Sequence, residues 1–592
     1  MSESNQTNQW IQLAGAVIAG AALSYLLQST TRRKSDSKAP LEEAKKPRKN
    51  SLGEGLDLSK ERTFTMRKIE KLKEGSSKFI EGLTNLSEVA ISRVPHLAET
   101  HDCDVYTSPL LGDASQRDIA GKGTTGFLPD EAFSSVKKFV LSGKSYQCYE
   151  DIARELKFLR AGPRKQIFWN PKEVKAAIVT CGGLCPGLNV VIRELVMTLW
   201  FNYGVKDIFG VKWGYQGFHK ASNIIKLTPK IVKRIHNEGG TFLGSSRGGF
   251  DEKVIIDICK EKGINHLYII GGDGTHRGIY KLYEYATENK ERISICGIPK
   301  TIDNDIPLID KSFGFDTAVA VAEQIISCAN NEAESAEFGV GMVKLMGRDS
   351  GEIAAAAAQA SRDVNICLIP ESPFEVEGEY GLCETVCQRI ISKNHCTIVV
   401  AEGADDAIID ANLAKEGKAD AGGHVKHADI GTYLKNKIVA YAKENYDINI
   451  TLKYIDPTYT IRSVSANAGD TIICTKLAQN SVHAAMAGYT GFSIGTVKDT
   501  TAIIPIKSIN NSAKRKMDLN ERTWQRVIAS TGQPQMVCPE NMEKITEKVQ
   551  EYALEKQKKH QKLIEEQVVM SEVILEAFDT QENAEGDEEN DS

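Results

Sequence analysis

From Val174 onward, short apolar runs recur, each closed by a turn rich in glycine or aspartate and then followed by a stretch with helical spacing. The runs cover residues 176–180, 267–270, 293–298, 340–345, 366–369 and 397–400. Runs this short with little internal alternation read as buried strands. Strands alternating with helices predict a mainly parallel sheet covered on both faces. In such sheets ligands bind in the crevice beyond the carboxyl ends of the strands. Here those ends are distinctive: Cys181-Gly-Gly-Leu-Cys-Pro-Gly187, Gly271-Gly-Asp-Gly-Thr275, Lys300-Thr-Ile-Asp-Asn-Asp305, Met346-Gly-Arg348, Pro370-Glu371 and Glu402-Gly403. Six polar or glycine-rich strand ends in one region predict an active site.

The flanks read differently. Residues 10–27 carry no charge and are mostly apolar, near the lower length for a membrane span, and Arg32, Arg33 and Lys34 follow. This order predicts an anchor with the bulk of the chain on the cytosolic side. A targeting leader or a soluble amphipathic helix is the alternative. Residues 35–50 are rich in Lys, Ser, Pro and Glu, as a linker is, and 60–95 show loose helical spacing. The segment 403–423 reads as a surface insertion, 542–577 as helical and 581–592 as an acidic, unstructured tail. The expected divisions are an anchor or targeting segment over 1–34, an extension over 35–165, a catalytic core over 166–540 and a helix with an acidic tail over 541–592.

Composition narrows the function classes. The net charge of −6 over 592 residues offers no whole-chain argument for nucleic acid binding. The 13 cysteines are scattered without zinc-ribbon spacing and read as reduced, packed thiols.

The chemistry lies at the strand ends. If residues 301–305 stay extended, Thr301, Asp303 and Asp305 share one face and Asn304 turns aside. Two carboxylates there favour a cation or a proton transfer. The alternative is an Asx turn capping the next helix. In the 271–275 loop the glycines clear space, Asp273 can hold Mg²⁺ directly or through water, and Thr275 can donate to a phosphate. Glycines in the 181–187 loop let the backbone approach an anion, although the loop matches neither the P-loop nor the dinucleotide fingerprint. Arg247, Arg348 and Arg462 stand beside glycine or aromatic residues and suit phosphate through bidentate donors.

Together these motifs resemble the phosphofructokinase family over about residues 160–496. Lys300-Thr-Ile-Asp-Asn-Asp305 is similar to its catalytic signature. Arg160-Ala-Gly-Pro-Arg164, Leu345-Met-Gly-Arg-Asp-Ser-Gly351 and Asp456-Pro-Thr-Tyr-Thr-Ile-Arg462 resemble its plant and trypanosomatid branch. The resemblance implies two similar doubly wound α/β domains with the active site in the cleft between them, usually in homotetramers. It implies transfer of the γ-phosphate of ATP to the 1-hydroxyl of fructose 6-phosphate, with Mg²⁺ as cofactor. Asp303 is then the general base, and Thr301, Asp305 and Arg348 complete the catalytic set. Gly183, Arg247, Gly248, Gly272, Asp273, Gly274, Thr275 and Lys300 hold the nucleotide, with Asp273 as the metal residue. Thr301, Ile302, Asp303, Met346, Gly347, Arg348, Glu402, Tyr459, Thr460, Ile461 and Arg462 meet the sugar phosphate.

Two departures matter. Gly274 resembles ATP-using members, whereas Lys300 resembles pyrophosphate-using ones; the pair also marks the plant and trypanosomatid ATP-dependent branch. ATP is the expected donor and pyrophosphate the alternative. Gly339 stands where bacterial members present an arginine to a neighbouring subunit, so that contact is not expected here. Two other readings compete: a kinase of the wider superfamily acting on NAD or lipid, and a membrane-tethered scaffold that has lost catalysis.

Overall fold

A computed structural model describes residues 93–101, 105–111, 127–128, 132–135, 157–408, 416–419, 425–426, 429–512 and 514–541. All of these fall within one compact unit, Gly82–Ser592. The expected anchor at 10–27, the linker, the helical spacing at 60–92 and the C-terminal helix and tail beyond 541 lie outside the described residues, as do parts of the 403–423 insertion.

Two sheets organise the described chain. Their strands are β1 (Phe133–Ser135), β2 (Lys157–Arg160), β3 (Lys175–Thr180), β4 (Asp207–Val211), β5 (Ile224–Lys226), β6 (His266–Gly271), β7 (Ser294–Pro299), β8 (Gly339–Leu345), β9 (Ile366–Leu368), β10 (His395–Ala401), β11 (Thr451–Ile455), β12 (Phe492–Val497) and β13 (Thr500–Pro505). The larger sheet has the order β1-β2-β13-β12-β7-β6-β3-β4-β5, and the smaller the order β9-β10-β8-β11. The run β12-β7-β6-β3-β4 is parallel, with antiparallel strands at both margins, and the smaller sheet is parallel throughout. All six apolar runs read from the sequence are strands. The chain makes most of the larger sheet, then the smaller one, and returns with β12 and β13 to complete the first. The two sheets share the parallel plan expected but not the size.

Burial explains the lack of alternation. Every residue of β6 and β7 is buried, because helices cover both faces of the sheet. On one side lie α1 (Leu188–Met197) and α4 (Ala468–Met486), with Leu195 and Val482 in a core shared with Tyr268 and Ile298, whereas α3 (Phe315–Glu334) packs on β8 and β10 of the smaller sheet. On the other, α2 (Asp273–Glu288) sends Ile279 and Leu282 against Ile269 and Ile295. The smaller sheet has a core of its own, containing Val340, Ile366, Ile398 and Leu434. Among the described residues no helix is long and apolar enough to cross a membrane.

Register then places the loops. Pairing of Gly271 with Pro299 makes the loops after β6 and β7 emerge side by side, and Lys300 N–H donates to Gly271 O at 3.0 Å. Pairing of Leu345 with Ala401 does the same for the loops after β8 and β10.

Candidate active site

One cavity of about 450 Å³ collects the carboxyl ends of strands from both sheets. Residues 181–184 enter after β3, 272–275 after β6, 300–303 and Asp305 after β7, and Met346, Arg348 and Asp349 after β8. Arg462, at the end of the short helix Thr458–Arg462, and Lys514 complete one wall. The lining carries the cationic side chains Arg247, Arg277, Lys281, Lys300, Arg348, Arg462 and Lys514 against the carboxylates Asp273, Asp303, Asp305 and Asp349. A cleft with that excess of positive charge attracts a polyanion.

The segment after β7 is not extended. Asn304 has φ of 55°, is buried, and its side-chain Oδ1 accepts from Ser312 N–H at 2.9 Å. Asn304 takes the left-handed conformation, while Thr301, Asp303 and Asp305 line the cavity. The acidic face read from the sequence is present without the extended backbone, and the alternative of an Asx turn capping the next helix is not found: Phe315–Glu334 begins at Gly314 with no side-chain cap. Thr301 Oγ1 donates to Asp305 Oδ1 at 2.8 Å and accepts from Asp303 N–H at 3.2 Å.

Asp303 is the most perturbed carboxyl of this segment. Its Oδ1 is cut off from solvent and has no hydrogen-bond partner among the described residues. Burial pushes its pKa up to about 7, the charges of Asp305 and Glu402 push the same way, and Arg348 opposes them. A carboxylate in that state accepts a proton near neutral pH. Asp305 is also raised, chiefly by burial, while the Thr301 hydroxyl works to lower it.

Glu402 begins the turn after β10, with its Oε1 3.9 Å from Arg348 Nε. The next residue must be glycine: a Cβ on Gly403 would lie 1.8 Å from Arg348 O. Gly403 N–H donates to Gly347 O at 2.9 Å, which ties the two loops together. Arg462 stacks its guanidinium 4.9 Å over the Tyr459 ring.

On the other side of the cavity, Gly272 caps α2 and Asp273 stands at its first turn. Asp273 Oδ1 accepts from Gly274 N–H at 2.6 Å. Its Oδ2 lies 3.2 Å from Lys514 Nζ and 3.7 Å from Arg277 Nη2. Among the described residues no three His, Cys, Asp or Glu side chains form a group able to cage a metal. Mg²⁺ needs no such cage, since it takes one or two protein carboxylates and completes its shell with phosphates and water, and Asp273 is the residue that would hold it.

The phosphofructokinase family pattern matches residues 175–485. The chain belongs to the phosphofructokinase family. It is 46% identical over 454 residues to ATP-dependent 6-phosphofructokinase 7 of Arabidopsis thaliana, covering 76% of this chain and 89% of that protein. It is 47% identical over 394 residues to the ATP-dependent 6-phosphofructokinase of Borreliella burgdorferi, covering 65% and 86%. The crystal structure of a pyrophosphate-dependent phosphofructokinase from Marinobacter aquaeolei shares the fold at 18% identity and a TM-score of 0.50, covering 62% of this chain and 93% of that one.

Within this phosphofructokinase, Gly183, Arg247, Gly248, Gly272, Asp273, Gly274, Thr275, Lys300, Thr301, Ile302, Asp303, Asp305, Met346, Arg348 and Arg462 line one cavity. Gly347, Glu402, Tyr459, Thr460 and Ile461 are not in its lining. Gly347 and Glu402 lie against the Arg348 loop, whereas Ile461, expected to meet the sugar phosphate, is fully buried in the core. Lys300 is buried and its ammonium donates to Gly183 O at 2.8 Å, so it braces the loop after β3 against the loop after β7. Burial lowers its pKa. Gly339 sits so close to Ala333 that a Cβ would lie 2.0 Å from its carbonyl oxygen, which explains why no arginine stands there.

Sequence reading missed Tyr215, Phe250, Ser246, Arg277, Lys281, Asp349 and Lys514, all part of the lining. Tyr215 and Phe250 pack edge to face with ring centroids 5.1 Å apart, and Tyr215 Oη–H donates to Thr275 O at 3.2 Å. Arg277 and Lys281 follow Asp273 at the i+4 spacing that puts residues on one helix face. That signal was available; nothing in the local sequence marks Lys514.

Proposed function

We propose that this chain transfers the γ-phosphate of ATP to the 1-hydroxyl of fructose 6-phosphate, giving fructose 1,6-bisphosphate and ADP. The relatives named above as ATP-dependent 6-phosphofructokinases support the reaction. The observation that carries the mechanism is Asp303, a carboxylate with one unpartnered buried oxygen and a pKa raised to about 7, beside Arg348 in a cationic cavity. Asp303 takes the proton of the 1-hydroxyl as that oxygen attacks the γ-phosphorus, and the bond to the β-phosphate oxygen breaks. Thr301 holds Asp305 and the Asp303 backbone in place. Arg348 and Arg462 offer cationic contacts to the sugar phosphate and to the transferred group. Bound through Asp273, Mg²⁺ would supply charge neutralisation to the polyphosphate.

Gly274 supports ATP over pyrophosphate. Its backbone is not left-handed, and a Cβ there would meet nothing nearer than Arg277 Nη2 at 3.8 Å. The protein therefore has room for a side chain at 274, and the demand for glycine comes from the donor. A homotetramer and an anchor through residues 10–27 belong to the same proposal. Sedimentation of the purified chain and membrane fractionation with and without residues 1–40 test them.

The deciding experiment supplies the full chain with fructose 6-phosphate, Mg²⁺ and either ATP or pyrophosphate, and measures fructose 1,6-bisphosphate. Product with ATP alone is expected. Product with pyrophosphate alone would reverse the donor assignment, and none with either from folded protein would favour a scaffold.

A further inference from the structure

Lys514 reaches the cavity from a segment that carries no recognisable motif, yet it is the cation that spans the two halves of the site. Its Nζ lies 2.6 Å from Asp349 Oδ2, in the loop after β8, and 3.2 Å from Asp273 Oδ2, at the start of α2. The segment is stitched in place on both sides. Arg515 N–H donates to Asp305 O at 3.0 Å, Arg515 Nη1–H to Asp310 O at 2.8 Å, and Met517 N–H to Glu371 Oε1 at 2.8 Å. Glu371 also accepts from Gly351 N–H, so one carboxylate positions both the Lys514 segment and the loop that bears Asp349.

The contact with Asp273 raises a question of charge. If Asp273 holds the divalent ion of the donor, as the proposed function requires, an ammonium 3.2 Å from its Oδ2 stands in the way. Two cations compete for one carboxylate oxygen, and their mutual repulsion is strong at that range in a half-buried cleft. Without any cation, Asp273 and Asp349 would face one another as like charges. We propose that Lys514 is a positioning residue that serves as a resident counter-cation of the metal-free site, the one that bridges Asp273 to Asp349. It holds Asp273 and Asp349 together across the cleft and gives Asp273 up when the divalent ion binds, keeping its contact with Asp349. The inference rests on the reading of Asp273 as the metal residue.

The test is thermal melting of the full chain, without nucleotide, over a MgCl₂ titration at constant ionic strength. The variants are Lys514→Met, Lys514→Arg, Lys281→Met and Asp273→Asn. Lys514→Met removes the nearer of two cations beside Asp273 Oδ2, Arg277 standing off at 3.7 Å, so its Mg²⁺ midpoint is expected to fall by up to about fivefold, the upper end for a solvent-accessible ion pair. Lys514→Arg keeps the charge and should stay near the wild-type midpoint. Lys281→Met removes a cavity charge that makes no ion pair with Asp273, and should shift the midpoint less than Lys514→Met does. An unchanged midpoint in Lys514→Met, or an equal shift in Lys281→Met, overturns the proposal. A Mg²⁺ response that survives in Asp273→Asn overturns it together with the metal role of Asp273. Turnover with ATP, read separately, still decides the reaction itself.

Discussion

Asp303→Asn exchanges activity for stability, and the sign of the exchange depends on pH. The carboxyl titrates at about 7 in the folded protein, against an ordinary value of 3.8. Folding therefore penalises its ionised form. The penalty is absent below the unfolded pKa, grows as pH rises from there, and reaches its full size once pH passes the folded pKa. A shift of about three units corresponds to about 4 kcal/mol. Asparagine cannot ionise, so the variant should resist urea better than wild type at pH 8, by up to that amount, and gain little near pH 4. Its kcat/KM for fructose 6-phosphate should fall by about 10²–10⁴-fold, the usual contribution of a positioned base. Urea unfolding followed by tryptophan fluorescence at the two pH values, with a coupled assay for fructose 1,6-bisphosphate, reads both effects. A stability gain of equal size at both pH values would show that ionisation of Asp303 is not its source. Turnover within tenfold of wild type would remove Asp303 as the base.

Other expectations follow from neighbouring geometry. Glu402→Gln removes a charge that raises Asp303, so the acid limb of the kcat/KM profile should move to lower pH; a limb that stays near 7 would mean that the two groups do not interact. Gly274→Asp should fold normally, since the space for its side chain is open, and should weaken KM for ATP by at least about tenfold while improving use of pyrophosphate. Unaltered donor kinetics would detach donor choice from that position. Gly403→Ala drives a methyl to within 1.8 Å of Arg348 O. It should lower stability by about 1–3 kcal/mol, and kcat with it, by displacing the Arg348 loop; a variant with wild-type melting temperature and turnover would show that the loop yields freely.

The strands at the centre of both sheets were legible because burial on two faces leaves an apolar run of a recognisable length. The hairpin of β12 and β13 was not legible. Its two-residue turn is Lys498-Asp499, with φ of 49° and 63°, where sequence reading looks for Asn-Gly. The surrounding sheet imposes a left-handed turn that the local residues do not advertise. The same limit applies to the site. Asp273, Asp303, Arg348 and Glu402 announce themselves because each lies in a compact motif at a strand end, and the parallel order of strands sends such ends to one side. Asn304 shows where a local rule needed the fold: it turns aside from the acidic face as alternation predicts, but through a left-handed turn rather than an extended strand, buried and bonded to Ser312.

By itself the sequence determined the α/β class, the strand ends that carry chemistry and the acid–base character of the segment after β7, because these depend on residues close together in the chain. Tertiary structure decided what depends on distance. It raised Asp303 by burying it near Asp305 and Glu402, and it drew Lys300 to Gly183. It also carried Lys514 across more than two hundred residues of chain to Asp273. Those effects belong to the electrostatics of a partly buried cleft, which exists only once the two sheets have brought their loops together.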